Sequence, residues 1–248
     1  MKSLPKGVLA DLRLAAAGVD PAAYPAACEP LEEAAAAEPQ DAALALAFAV
    51  SRLAAAKDAR PLVLVTTGTW RRERGGLFAQ GLVCLGASQA RLIRVDVAHE
   101  AEGLWALEEV LKSGATAGGL VTAERPAFVT TRRLEFAARA GRACGVILRV
   151  GPAADLSAAR RRWRIAARPS APAVFDPAAP GAARLHAELT RRRDGPPGAW
   201  ELELDDETGG FAVVAGLADH RLAAPAAPAS GKGAGRAVLR PAFDRSAA

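Results

Sequence analysis

Residues 28–66 read CEPLEEAAAAEPQDAALALAFAVSRLAAAKDARPLVLVT, and their order decides the fold class. A short segment and a Pro-containing turn lead to Asp41, which is expected to N-cap a helix running to about Ala56. Leu44, Ala47, Phe48, Ser51 and Ala55 follow one face of that helix, and Leu46, Val50 and Leu53 widen it, so it should be largely buried. Pro61 then introduces LVLVT, a run of Leu and β-branched residues of the kind that fills a central strand covered on both faces.

The same alternation continues. A helix over about 77–85 closes at Gly86, strand RLIRVDV follows, and a helix over about 100–113 closes at Gly114. Strand GGLVT leads through AERPAFVTT to a helix over about 132–143 and then to strand GVILRV. Four apolar strands separated by helices call for a parallel sheet with right-handed crossovers. From Arg161 the texture changes: RRWRIAARP, ARLHAELTRRR, AWELELD and GFAVVAG alternate and are joined by Pro, Gly and Asp turns, the pattern of an antiparallel extension. The expected organisation is an irregular arm over 1–30, an α/β domain over 31–220 and a flexible basic tail over 221–248.

A chain of 248 residues, about half of them apolar, buries one substantial core. Cys28, Cys84 and Cys144 are odd in number, widely spaced and set in apolar surroundings, which argues for neither a disulfide framework nor a metal knuckle and points to a reducing compartment. Every long apolar stretch is broken by charge well short of the ~20 residues of a membrane span, so a cytoplasmic protein with no membrane partner is expected. Of the net charge of +5, the last 28 residues hold +4 through Arg221, Lys232, Arg236, Arg240 and Arg245 against Asp244. The nearly neutral remainder excludes a broadly basic nucleic-acid surface.

Chemistry-bearing motifs are conspicuous by what they lack. A phosphate-binding loop needs glycines to wrap the phosphates, a Lys to reach them and a Ser or Thr hydroxyl for magnesium. The turn before the first helix reads AEPQDAAL and offers none of these, while Glu38 and Asp41 would repel an anion at the helix start. Glu124, beyond strand GGLVT, reads as a charged residue at the strand–loop boundary rather than a metal ligand. His99, His186 and His220 have no partners at ligand spacing, and no nucleophile elbow is present. No catalytic residue, cofactor or metal is therefore expected. Arg71, Arg72 and Arg74 follow the first buried strand, where ligands meet such sheets, and with Trp70 as a stacking surface they are the candidate DNA contacts. Trp105, Trp163 and Trp200 read as core.

Several segments taken in order carry a family resemblance: LFAQGLVCLGASQARLIRVDVAHEAEGLWALEEVLKSGATAGGLV, then RRLEFAARAGRACGVILRV, SAARRRWRIAARPS, and ARLHAELTRRRDGPPGAWELELDDETGGFAVVAGLADH. Over about 31–222 the chain resembles the ImuA-type mutagenesis accessory proteins of bacteria, which are similar to RecA and to the division inhibitor SulA. The resemblance implies a RecA-like core with a mainly parallel sheet flanked by helices and a C-terminal antiparallel extension. It also implies a non-catalytic adaptor in damage-induced translesion synthesis, working with RecA, an ImuB-type relative of Y-family polymerases and an error-prone replicative-type polymerase. Degenerate nucleotide motifs are common in that family, which agrees with the turn at 37–44.

Within the tail, Arg236, Val238, Leu239, Arg240 and Phe243 form a short apolar cluster flanked by arginines on an Ala/Pro/Gly-rich tether, and they are the candidate partner-binding residues. The alternatives are a residual RecA-like ATPase, a DNA-binding protein and a SulA-like division inhibitor.

Overall fold

In the computed structural model, residues 24–214 are described, apart from 57, 88–90, 152–154, 174 and 206. They belong to a unit spanning Met1–Gly216; a second unit, Leu217–Ala248, lies outside the described residues.

Among the described residues nine strands form one sheet in the order β3-β2-β4-β5-β1-β6-β7-β8-β9. They are β1 (Leu31–Ala36), β2 (Leu62–Thr67), β3 (Leu92–Val97), β4 (Gly118–Ala123), β5 (Cys144–Arg149), β6 (Arg161–Arg168), β7 (Arg184–Arg192), β8 (Gly198–Leu204) and β9 (Phe211–Val213). The helices are α1 (Ala42–Ala54), α2 (Gly68–Arg74), α3 (Ala79–Val83), α4 (Glu100–Lys112) and α5 (Phe128–Gly141). The expected α/β class, a mainly parallel sheet flanked by helices with a C-terminal antiparallel extension, is what the chain forms.

Three details differ from the sequence reading. LEEAAA is not a lead-in but a central strand, parallel to β5 on one side and β6 on the other. β6 itself runs parallel to β1, so the antiparallel extension begins only at β7. α5 also starts four residues earlier than expected, because Thr131 stabilises the first turn by donating to Phe128 O at 2.8 Å.

The apolar core has two layers. On one face α1 lays Phe48 and Leu53 over Leu64, Leu120, Val146 and Leu148, and the layer continues across Trp163, Ile165, Leu185, Leu189 and Leu202. On the other face α4 and α5 cover Val63, Val65, Val121 and Ile147 with Leu104, Leu107, Leu111 and Leu134. Gly141 permits the close approach of these two helices: a Cβ there would lie 1.9 Å from Leu111 O. Arg60 ties their ends together, donating to Gly114 O, Gly141 O and Arg142 O, and its partner Asp58 is pulled down to about 2 by the bond from that guanidinium. Among the described residues no helix is long and apolar enough to cross a membrane.

Candidate functional site

The strand that the sequence reading missed carries two adjacent glutamates into the interior. Strand alternation sends Glu32 and Glu33 to opposite faces, and both are about 1% exposed. A buried carboxylate is tolerable only with charged, well-directed donors. Glu32 has five: Oε1 accepts from Arg52 Nη2 at 2.7 Å, Glu29 N at 2.9 Å and Arg161 Nη1 at 3.3 Å, and Oε2 from Arg52 Nε at 3.1 Å and Trp163 Nε1 at 3.0 Å.

Arg52 spends its remaining donors on Pro25 O, Ala26 O and Ala27 O, and its guanidinium lies 5.2 Å from the Trp163 ring centroid. Burial disfavours the charged guanidinium, but the Glu32 carboxylate outweighs it and raises the Arg52 pKa. Tyr24 joins this cluster through a tilted contact with Trp163 and an edge contact with Trp200, and burial pushes its phenol up. On the opposite face Glu33 accepts from Arg162 Nε at 2.8 Å and lies 3.9 Å from Arg149 Nη1, while Arg149 reaches Asp155 at 3.1 Å. These ion pairs fasten β1 to β6, β5 and the segment before it. They are structural chemistry. A sequence signal existed in the matching arginines at 52, 149, 161 and 162, but paired glutamates before an Ala run carry the pattern of an exposed helix.

Directly beyond β1, the turn at 37–42 folds onto itself. Ala37 N donates to Ile165 O, Glu38 N to Asp41 Oδ2, Asp41 N to Glu38 O and Ala42 N to Pro39 O. Asp41 occupies the N-cap position of α1, as expected, but its side chain makes no capping bond to that helix: it ends a 3-10 turn (Pro39–Asp41), 4% exposed, its Oδ1 accepting from Ala167 N. Sequence favoured a cap because Asp precedes an apolar run; the neighbouring edge of β6 offered a better donor. Four backbone donors of this turn, those of Ala37, Glu38, Asp41 and Ala42, are thus committed within the chain.

At the same rim, Thr67 N donates to Thr122 Oγ1 at 3.0 Å, closing β2 against β4, and Thr66 Oγ1 donates to Asp96 at 2.7 Å. Arg71, Arg72 and Arg74 lie on α2 and point in different directions. Arg71 pairs with Asp96 at 3.5 Å, Arg72 reaches Thr69 Oγ1, and Arg74 donates to Pro39 O at 2.7 Å. All three are exposed. Trp70 is no stacking surface, being 3% exposed within the core, whereas Trp105, expected in the core, is 63% exposed. Trp163 and Trp200 are buried as expected. Glu124 is exposed, its N–H donating to Glu100 Oε2. Cys28 and Cys144 adjoin as free thiols, Cys144 Sγ donating to Cys28 O, and the bond between the two thiols pushes Cys28 up. Arg236, Val238, Leu239, Arg240 and Phe243 lie outside the described residues.

No family model matches the chain. Over 168 residues it is 39% identical to Protein ImuA of Caulobacter vibrioides, in each of two strains, a match covering 62% of this chain and 68% of the relative. Among solved structures it is similar to SulA from Pseudomonas aeruginosa, at 21% identity and a TM-score of 0.36, covering 48% of this chain and 97% of that one. On the strength of the Caulobacter relatives, the chain belongs to the ImuA family of bacterial mutagenesis accessory proteins.

Proposed function

We propose that the protein is a non-catalytic adaptor in damage-induced translesion synthesis, docking on RecA and on an ImuB-type polymerase relative and so serving an error-prone replicative-type polymerase in the cytoplasm. The observation that carries this reading is the turn after β1. It links a parallel strand to a helix, the kind of connection in which a phosphate cradle is built, yet its donors at Ala37, Glu38, Asp41 and Ala42 are bonded within the chain and its two carboxylates oppose an anion. A large sheet kept in good order around such a turn serves better as a surface than as a catalyst. The cluster Arg236, Val238, Leu239, Arg240 and Phe243 is the proposed contact element, since a short apolar segment flanked by arginines offers a partner both apolar area and charge.

The test is quantitative binding of the full chain, and of a chain ending at Ala218, to RecA and to the ImuB-type partner. The full chain is expected to bind and the shortened one to lose most of its affinity. Undiminished binding by the shortened chain would move the contact onto the sheet domain, and absence of binding by the full chain would overturn the adaptor reading. DNA contact through Arg71, Arg72 and Arg74 is a second reading, favoured by their exposure at the rim. It requires affinity that falls steeply with salt and weakens when the three become Ala.

A further inference from the structure

The outer surface of the α4–α5 layer is unusual for a solvent face. Trp105 on α4 is 63% exposed, and on α5 Phe128, Val129 and Phe136 are 45%, 68% and 55% exposed. Phe128, Arg132 and Phe136 recur every four residues, so with Val129 they line one side of α5. α4 leads from β3 to β4 and α5 from β4 to β5, all strands running parallel, so the two helices run in the same direction. The Arg133–Glu108 bridge at 2.6 Å sets their relative level. Trp105, one turn before Glu108, then stands level with Val129, one turn before Arg133, and the apolar residues form one patch across two helices.

Charge divides the patch unequally. α4 carries Glu100, Glu102, Glu108 and Glu109 against Lys112, whereas α5 carries Arg132, Arg133 and Arg139 against Glu135. On α4 the outward Glu102 and Glu109 flank Trp105 at a spacing of seven residues. On α5 the outward Arg132 and Arg139 flank Phe136 at the same spacing, about 10.5 Å along a helix in each case. Some of these charges have local partners: Glu102 accepts from His99 N, Glu109 lies 3.7 Å from Lys112, and Arg139 bonds Glu135. Arg132 stacks on Phe136 with no carboxylate partner among the described residues. An acidic half and a basic half with equal spacing, each around an exposed aromatic, are complementary to themselves. That is the requirement of a two-fold interface, in which residue i meets j and j meets i.

We propose that the α4–α5 face binds a second copy of this chain. α4 of one copy lies over α5 of the other, the aromatic residues at the centre and the Glu and Arg rows opposed at the rim. The basic C-terminal segment of the same chain is a poorer occupant, because its arginines would meet those of α5. Two adjacent helices of 13 and 14 residues present a facet about 20 Å by 20 Å, roughly half the ~800 Å² per partner of a standard interface. The association is accordingly weak and belongs in the micromolar range.

Sedimentation equilibrium of the full chain from about 1 to about 100 µM tests this directly. The average mass is expected to rise from that of one chain toward twice that value, and to rise less at high salt. The double variant Val129→Glu/Phe136→Glu should weaken association by about tenfold or more, with an unchanged circular dichroism spectrum. Trp105→Lys, on the other helix, should do the same and serves if the double variant misfolds. A single-chain mass throughout the range, or association that both variants leave intact, would overturn the proposal. So would a patch that is covered only when a different protein is added.

Discussion

At the scale of single residues, the account turns on charges placed where charges are costly. Glu32 is the shared acceptor of Arg52, Arg161 and Trp163, so its removal leaves the buried Arg52 guanidinium short of its counter-ion and Arg161 with Glu29 and Asp194 alone. Glu32→Gln is expected to cost about 3–5 kcal/mol of unfolding free energy, read from the urea midpoint. Asp194 supplies a pH-dependent counterpart. The Arg161 guanidinium, bonded to it at 2.7 Å, holds its carboxyl well below the usual carboxylate range. A depressed folded pKa gives stability that is complete above the unfolded value of about 4 and is lost as pH falls below it. Asp194→Asn should therefore cost about 1 kcal/mol at neutral pH, and the gap to wild type should close as the pH drops below about 4; a gap that stays constant would contradict the assignment. The two tryptophans that exchange places give a third check. Trp70→Ala should destabilise by about 3–5 kcal/mol and Trp105→Ala by no more than about 0.5 kcal/mol in thermal or urea melts.

At the scale of elements, neighbouring residues at the end of α5 predict opposite signs. Gly141→Ala drives a methyl into Leu111 O and should destabilise by about 1–3 kcal/mol. Arg142, one residue on, holds a left-handed conformation at φ 49° that closes the helix, and Arg142→Gly should gain about 0.5–1 kcal/mol. The pair is read from denaturation midpoints. These elements also show what sequence could reach. LVLVT, GGLVT and GVILRV were legible as strands because each is apolar on both faces, and Gly86 and Gly114 marked turns where positive φ is needed. LEEAAA was not legible, because its two glutamates are neutralised by arginines 20 to 129 residues away, a relation without local period. Trp105 misled for the converse reason: an aromatic residue within an apolar helix reads as core, and its side of the helix depends on where α5 packs.

At the scale of the whole molecule, the parallel frame is complete through the turn that follows β1, and that turn is closed by its own hydrogen bonds. The absence of glycines and Lys at 37–44 was legible directly, since a phosphate loop demands particular residues at fixed spacing. Which surface meets a partner was not, because partner contacts have no such spacing rule. The proposed roles divide the surface between the basic tail, the arginine-bearing rim and the α4–α5 face. They are separable by experiment, through the chain ending at Ala218 on one side and substitutions at exposed positions of α2, α4 and α5 on the other.

The most direct test of the adaptor account is calorimetric titration of the full chain with the ImuB-type partner, with and without magnesium and ATP. The account predicts saturable binding whose affinity is the same within about twofold in both conditions, less than 0.5 kcal/mol in free energy. Absence of binding, or an affinity that depends on nucleotide by about tenfold or more, would contradict it and return the closed turn after β1 to question.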